Sequence, residues 1–445
     1  MSSDGLQRQI GLSTAAALVV GGTVGVGIFL SPAGMARSLA SPALVFAVWG
    51  FMGTAAFCGA LSFGELAARY PQAGGSYVYL RAAYGPAVAF LYGWKCLLIM
   101  DPGLTAALAV GLGAQTAAAV PGLPPRGVGL AAILLIAAAN TVGVRFASKL
   151  GHALALAKIA LLLALVAWGF ASGAGELGHF VPFAERRPGA PPLVPALAGA
   201  LVLAFFSFGG WWEAAKLAGE VREPQRSLPR ALALGVGTVT LLYAAVSAVF
   251  LYLVPLDRAS SPESFTAEAG RALFGASGGR VLSALVAIFV LGTLVAVMTF
   301  APRLYYAMAR DGAAPAFAGR IHPRTGAPVR AIALQAVLAG ILVILGTFDT
   351  IVAYFVFATV AFLALTVAGL YRLPPPSTPA HRVPGWPVTP LVFLAMLLLM
   401  LVLLAAGSPL QAALGVAVVA AGAPVYRLFV VPQRDLRSPA PIEET

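Results

Sequence analysis

The chain has 445 residues, of which 60% are hydrophobic and only 10% charged, with a formal net charge of +12 and a mean hydropathy of +0.90. So much apolar surface cannot be hidden inside a soluble core, so the composition excludes a soluble globular fold and implies an integral membrane protein. Its two cysteines, Cys58 and Cys96, fall inside apolar runs and offer no disulfide framework.

A spanning helix needs about 20 mainly apolar residues, and the hydropathy pattern predicts twelve. They lie near residues 11–31, 41–66, 86–114, 128–142, 153–170, 194–217, 231–254, 281–300, 331–345, 350–370, 391–404 and 410–428. The first carries no convincing cleavage site and is followed by many more spans, so it is read as retained rather than as a signal peptide.

Span 1 contains "VVGGTVGVGIFLSPAG" (residues 19–34), with five glycines and a proline. Glycine costs about 1 kcal/mol in a helix interior and proline about 3. A break around Gly25, Val26 and Gly27 would leave orphan N–H donors at the new helix start and orphan carbonyls at the old helix end. The donors and the positive end of a half-helix favour a carboxylate, and the carbonyl end favours an ammonium. A zwitterion of α-amino-acid size uses both. The alternative is that these glycines only let helices pack closely. No Lys-Ser/Thr follows them, which excludes a phosphate loop.

Spans 3 and 5 hold Lys95, Asp101 and Lys158, and ionisable groups at membrane depth are functional candidates by default. Asp101 either faces a cavity or pairs with Lys95 or another helix. Span 6 carries a second glycine break beside aromatic residues, "LAFFSFGGWWEAAKLAGE" (residues 203–220). Breaks in spans 1 and 6 occupy corresponding places in two halves of five spans, the pattern of an inverted-repeat transporter with its site near the bilayer midplane. Glu213 is spaced to contact Lys216. Glu65, Arg69, Glu220 and Arg222 are expected to cap or bridge helix ends.

Most of the Lys and Arg residues, including Arg145, Lys149, Arg222, Arg226, Arg230, Arg303, Arg310, Arg320, Arg324 and Arg330, fall on one side if the N-terminus is inside. Cytoplasmic loops carry that excess, so both termini are predicted cytoplasmic and the net charge is a topology signal rather than a sign of nucleic-acid binding. His152, His179, His322 and His381 are scattered, with no metal-like cluster. No catalytic set is evident, so neither an enzyme nor a cofactor is expected. Arg far outnumbers Lys, and Ala and Gly abound, which fits a GC-rich bacterial genome and hence a bacterial cytoplasmic membrane.

Five segments in order, "GGTVGVGIFLSP", "GELAARYPQAGGSYVYLRAAYGP", "FFSFGGWWEAAKLAGEVREPQRSLPRA", "PRLYYAMARDGAAP" and "HRVPGWPVTP", resemble the amino acid-polyamine-organocation transporters, especially the L-type amino acid transporter branch. The resemblance implies a single all-α membrane domain over residues 1–445 with the leucine-transporter-like fold. Helices 1 and 6 would be broken within a five-plus-five inverted repeat of about 9–173 and 193–372, with two further helices at about 390–428. It implies that Gly25, Val26 and Gly27 bind a substrate carboxylate. Phe206, Ser207 and Gly209 would meet the amino group through their backbone, and Phe206 would close over the ligand. Val26 stands where relatives often have Ser or Thr, so binding there relies on the backbone. Trp212 is larger than is usual in carriers of bulky substrates, which favours small neutral amino acids. Lys158 matches a lysine whose ammonium replaces the sodium ion of more distant relatives, with Gly21 and Thr293 as its expected partners. Lys95 has no role that the resemblance supplies.

The expected function is therefore transport of small neutral L-amino acids across the lipid bilayer by alternating access. It would be sodium-independent, as exchange, uniport or symport with protons, with no obligatory protein partner. Asp101 leaves open a carrier of cationic amino acids, polyamines or other amines, and an amino-acid sensor or a channel remains the alternative from another class.

Overall fold

In a bilayer every backbone N–H and C=O must be satisfied internally, which leaves the helix as the solution for apolar runs of this length. The computed structural model describes residues 6–256, 262–345, 348–376, 378 and 382–431; His381 lies outside them. The described residues form helices α1 (Leu12–Thr23), α2 (Gly27–Leu39), α3 (Pro42–Arg69), α4 (Ser76–Tyr84), α5 (Pro86–Lys95), α6 (Asp101–Ala119), α7 (Pro125–Thr141) and α8 (Val144–Ala171). There follow α9 (Leu193–Ser207), α10 (Pro224–Leu253), α11 (Pro262–Phe274), α12 (Gly278–Arg310), α13 (Val329–Leu345), α14 (Phe348–Ala368), α15 (Val388–Gly407) and α16 (Pro409–Val425).

Eight of these helices or continuous helical runs are long and apolar enough to cross a membrane. The α1–α2 pair is a broken span bent by 55°, and α7, α13 and Val356–Tyr371 are shorter apolar helices. The chain is thus a multi-pass membrane protein. Span 1 was expected to end near residue 31, but past the break it restarts and runs to Leu39, where Ala40 closes it in a left-handed conformation. Span 6 divides into α9 and a 3₁₀ segment, Trp211–Glu220. Between α5 and α6 the helix continues through a π turn at Cys96–Met100, directly before Asp101 and Pro102. Proline lacks an N–H and clashes with the carbonyl four residues back, and the wider turn accommodates both defects.

α10 packs along α3, α12 along α6, and α1 lies against α10, α8 and α12. Separate elements are tied together at the end of the molecule that carries the N-terminal residues. There the N–H groups of Gln9 and Ile10 donate to Glu220 O at 2.8 and 2.9 Å, and that of Arg222 donates to Ile10 O at 2.8 Å. Glu220 and Arg303 are fully buried; the guanidinium donates to both carboxylate oxygens at 2.8 and 3.2 Å. Arg69 pairs with Glu65 one turn away at 3.2 Å, and the second Glu65 oxygen accepts from Val383 N–H at 2.8 Å. Charged helix ends are therefore tied between elements as well as along them.

Removing one member of a buried ion pair strands the other, at about 3–5 kcal/mol, whereas replacing both by apolar residues costs much less. Arg303→Met should therefore lower the unfolding temperature in detergent markedly, and Arg303→Met with Glu220→Met should recover most of the loss. An additive double variant would show that the pair carries no such coupling.

Candidate functional site

The two breaks face each other. Gly210 sits at φ 110°, a conformation that only glycine adopts easily, and a Cβ there would lie 2.6 Å from Gly22 O. At Gly27 a Cβ would lie 2.9 Å from Ser207 Oγ and 3.0 Å from Ser207 Cα. Both glycines are thus needed for the ends of α1, α2 and α9 to touch. The hydroxyls of Ser31 on α2 and Ser207 on α9 lie 2.6 Å apart, and Ser207 Oγ donates to Leu203 O at 3.0 Å.

A cavity of about 240 Å³ lies between the breaks, walled also by α6, α12 and α14. Of the residues singled out from the sequence, Gly25, Val26, Gly27, Phe206, Ser207, Gly209, Trp212 and Thr293 all line it. At the start of α2 the N–H groups have no helical carbonyl one turn before them. The carbonyls of α9 are partly used: Phe206 O accepts from Gly209 N–H at 3.0 Å and Ser207 O from the Tyr243 hydroxyl at 2.8 Å. Each carbonyl keeps a second lone pair. Phe206 is 47% exposed and separates this cavity from a neighbouring one of about 230 Å³. Trp212 stacks on Phe205 with centroids 6.3 Å apart and narrows the interior.

Lys158 on α8 is fully buried. Its ammonium donates to Gly21 O at 2.8 Å, Val24 O at 2.7 Å and Thr293 Oγ1 at 2.9 Å. All three of its protons are used, which is incompatible with a side chain reaching out to the membrane surface. Gly292 makes room for it, since a Cβ there would lie 2.5 Å from Lys158 Cε.

Asp101 is not part of the cavity wall. Its carboxylate receives Lys216 at 3.3 and 3.4 Å, and Lys216 also pairs with Glu213. Lys95, the partner considered for Asp101, donates instead to Thr359 Oγ1 at 3.0 Å and Met100 Sδ at 3.2 Å. Sequence reasoning passed over Tyr243, whose hydroxyl lies 2.8 Å from Ser207 O and 3.2 Å from Thr23 O, tying the ends of α1 and α9 together. A lone tyrosine in an apolar helix gives no sign of such a role. Among the described residues no group of His, Cys, Asp and Glu is placed to hold a metal ion.

Broken helices facing a mostly apolar cavity within a bundle of apolar helices are the arrangement of a transport protein. The family model for amino acid permeases matches residues 10–425, and the chain belongs to this family, whose members are transporters rather than enzymes. It is 29% identical over 372 residues to the b(0,+)-type amino acid transporter 1 of Oryctolagus cuniculus, covering 82% of this chain and 76% of that one. It is 27% identical over 437 residues to the serine/threonine exchanger SteT of Bacillus subtilis (95% and 97% covered). Identity to the Asc-type amino acid transporter 1 of Mus musculus is 26% over 436 residues (96% and 82% covered).

The two break glycines should respond differently to one methyl group. A Cβ at Gly25 meets only Thr293 Oγ1 at 3.4 Å, so Gly25→Ala should weaken amino-acid binding modestly. Gly27→Ala should abolish it by driving α2 from α9, with membrane insertion intact. Equal effects in a thermal-shift binding assay would contradict this geometry.

Proposed function

We propose that this permease carries small neutral L-amino acids by alternating access and without sodium, as an exchanger, a uniporter or a proton symporter. The observation that carries the proposal is the pair of facing helix breaks with Lys158 in the first. The first break, with the start of α2, offers N–H donors to a carboxylate at Gly25, Val26 and Gly27, and the carbonyl ends of α1 and α9 offer acceptors to an ammonium. The Lys158 ammonium supplies the positive charge that a sodium ion would otherwise bring to the Gly21 and Val24 carbonyls. Trp212 limits side-chain volume, and Phe206 closes the cavity toward its neighbour. The similarity to an exchanger and to other amino-acid transporters agrees with this scheme.

Taken as one crossing each, the eight long spans, the bent pair and the three shorter apolar helices of the described residues make twelve in all. In this proposal the first ten form a five-plus-five inverted repeat, about 9–173 and 193–372, followed by two further helices at about 390–428. Both termini face the cytoplasm of a bacterial cell. A cationic substrate has less support, because the Asp101 carboxylate is occupied by Lys216 and lies outside the cavity wall.

Counterflow in proteoliposomes with a sodium, proton or no imposed gradient tests the scheme. Alanine and serine should exchange without sodium, and Lys158→Ala should lose exchange. Sodium-driven accumulation would overturn the role given to Lys158, and ligand binding without any counterflow would favour a sensor. Trp212→Ala should improve uptake of branched or aromatic amino acids relative to alanine; an unchanged competition profile would remove Trp212 as the size limit.

A further inference from the structure

The inner wall of the cavity holds charges that this transport scheme leaves unused. Glu213 forms part of that wall, yet its side chain is only 8% exposed. One carboxylate oxygen, Oε2, is held by Lys216, which is itself shared with Asp101. The other, Oε1, is buried without a hydrogen-bond partner among the described residues. An unsatisfied buried acceptor is costly, the more so when charged, so a small rotation of the Glu213 carboxylate toward a ligand donor in the cavity would be favourable. Lys95 does not meet the need, since its ammonium goes to Thr359 and Met100, two further wall residues.

Charge balance restricts the kind of donor. In formal charge, Asp101 and Glu213 count two negative and Lys95 and Lys216 two positive. A second ammonium on the ligand would leave an uncompensated cation in a low-dielectric interior. A neutral hydroxyl would satisfy the oxygen and keep the balance. We propose that Glu213 is a side-chain subsite that accepts a hydrogen bond from the hydroxyl of a small neutral amino acid whose α-groups lie at the helix breaks. This rests on the carrier function proposed above and adds to it a selectivity for hydroxyl side chains.

Threonine and valine have nearly the same shape, so their ratio as competitors of alanine counterflow isolates the hydroxyl; serine and alanine form a second pair. In the unmodified protein threonine should compete about tenfold better than valine, as expected for a hydrogen bond to a charged acceptor, with serine ahead of alanine. Glu213→Leu should bring the threonine-to-valine ratio to about one. If that variant does not reach the membrane folded, Glu213→Gln keeps a neutral acceptor of roughly half the strength, and the ratio should fall to about threefold. A ratio near one in the unmodified protein overturns the subsite whatever the variants do. So does an unchanged ratio in Glu213→Leu, or in Glu213→Gln where that variant is used, and so does a preference for lysine or a diamine over threonine. Alanine counterflow without a hydroxyl preference removes the subsite and leaves the carrier standing, whereas absence of counterflow with every amino acid removes both.

Discussion

A broken helix inside a membrane survives only if its freed backbone groups find partners, and Lys158 meets that constraint for α1. Its three protons go to Gly21 O, Val24 O and Thr293 Oγ1, so α8, α1 and α12 are joined at one buried ammonium. Charge-assisted hydrogen bonds are roughly twice as strong as neutral ones, which suits a place where nothing else could solvate the carbonyls. Tyr243 does similar work at Thr23 O and Ser207 O. Between them these two side chains donate to Gly21 O, Val24 O, Thr23 O and Ser207 O, and each carbonyl keeps a second lone pair.

Which end of the molecule is tightly closed also follows from local chemistry. On the side of the N-terminal residues, three backbone hydrogen bonds join residues 9–10 to 220–222, and the fully buried Glu220–Arg303 pair lies beside them. On the other side Phe206 is half-exposed between two cavities, and no ion pair crosses it among the described residues. A ring that swings needs only rotamer freedom. The opposite end is held by a desolvated ion pair, which costs far more to part.

Much of the site was legible because its chemistry is written locally. Glycines clustered against a strong helical background mark both breaks, and the aromatic residues beside the second, Phe206 and Trp212, fall on the cavity wall. The contact of Glu213 with Lys216 follows from a spacing of three residues on one helical turn. Lys158 stood out as a charge inside an apolar run, more than a turn from its start. Asp101 was harder: its depth was apparent, but its partner is 115 residues away, and periodicity within one helix says nothing about which neighbouring helix it meets. The unpartnered Glu213 oxygen and the space left by Gly292 have no signature in the chain at all.

The sequence by itself determined that the chain lives in a membrane, that its backbone is helical, and that two of its helices are interrupted at glycines. Those properties depend on composition and nearest neighbours along the chain, where the cost of a misplaced glycine or charge is paid locally. Only the tertiary structure decided which groups meet across the breaks. Lys158 takes Val24 O as well as Gly21 O, Lys216 rather than Lys95 takes Asp101, and Asp101 stands outside the cavity while Glu213 forms its wall. The physical reason is that these contacts depend on distance and orientation between separate helices, and hydrogen bonds of about 3 Å discriminate among candidates that the sequence alone leaves equivalent.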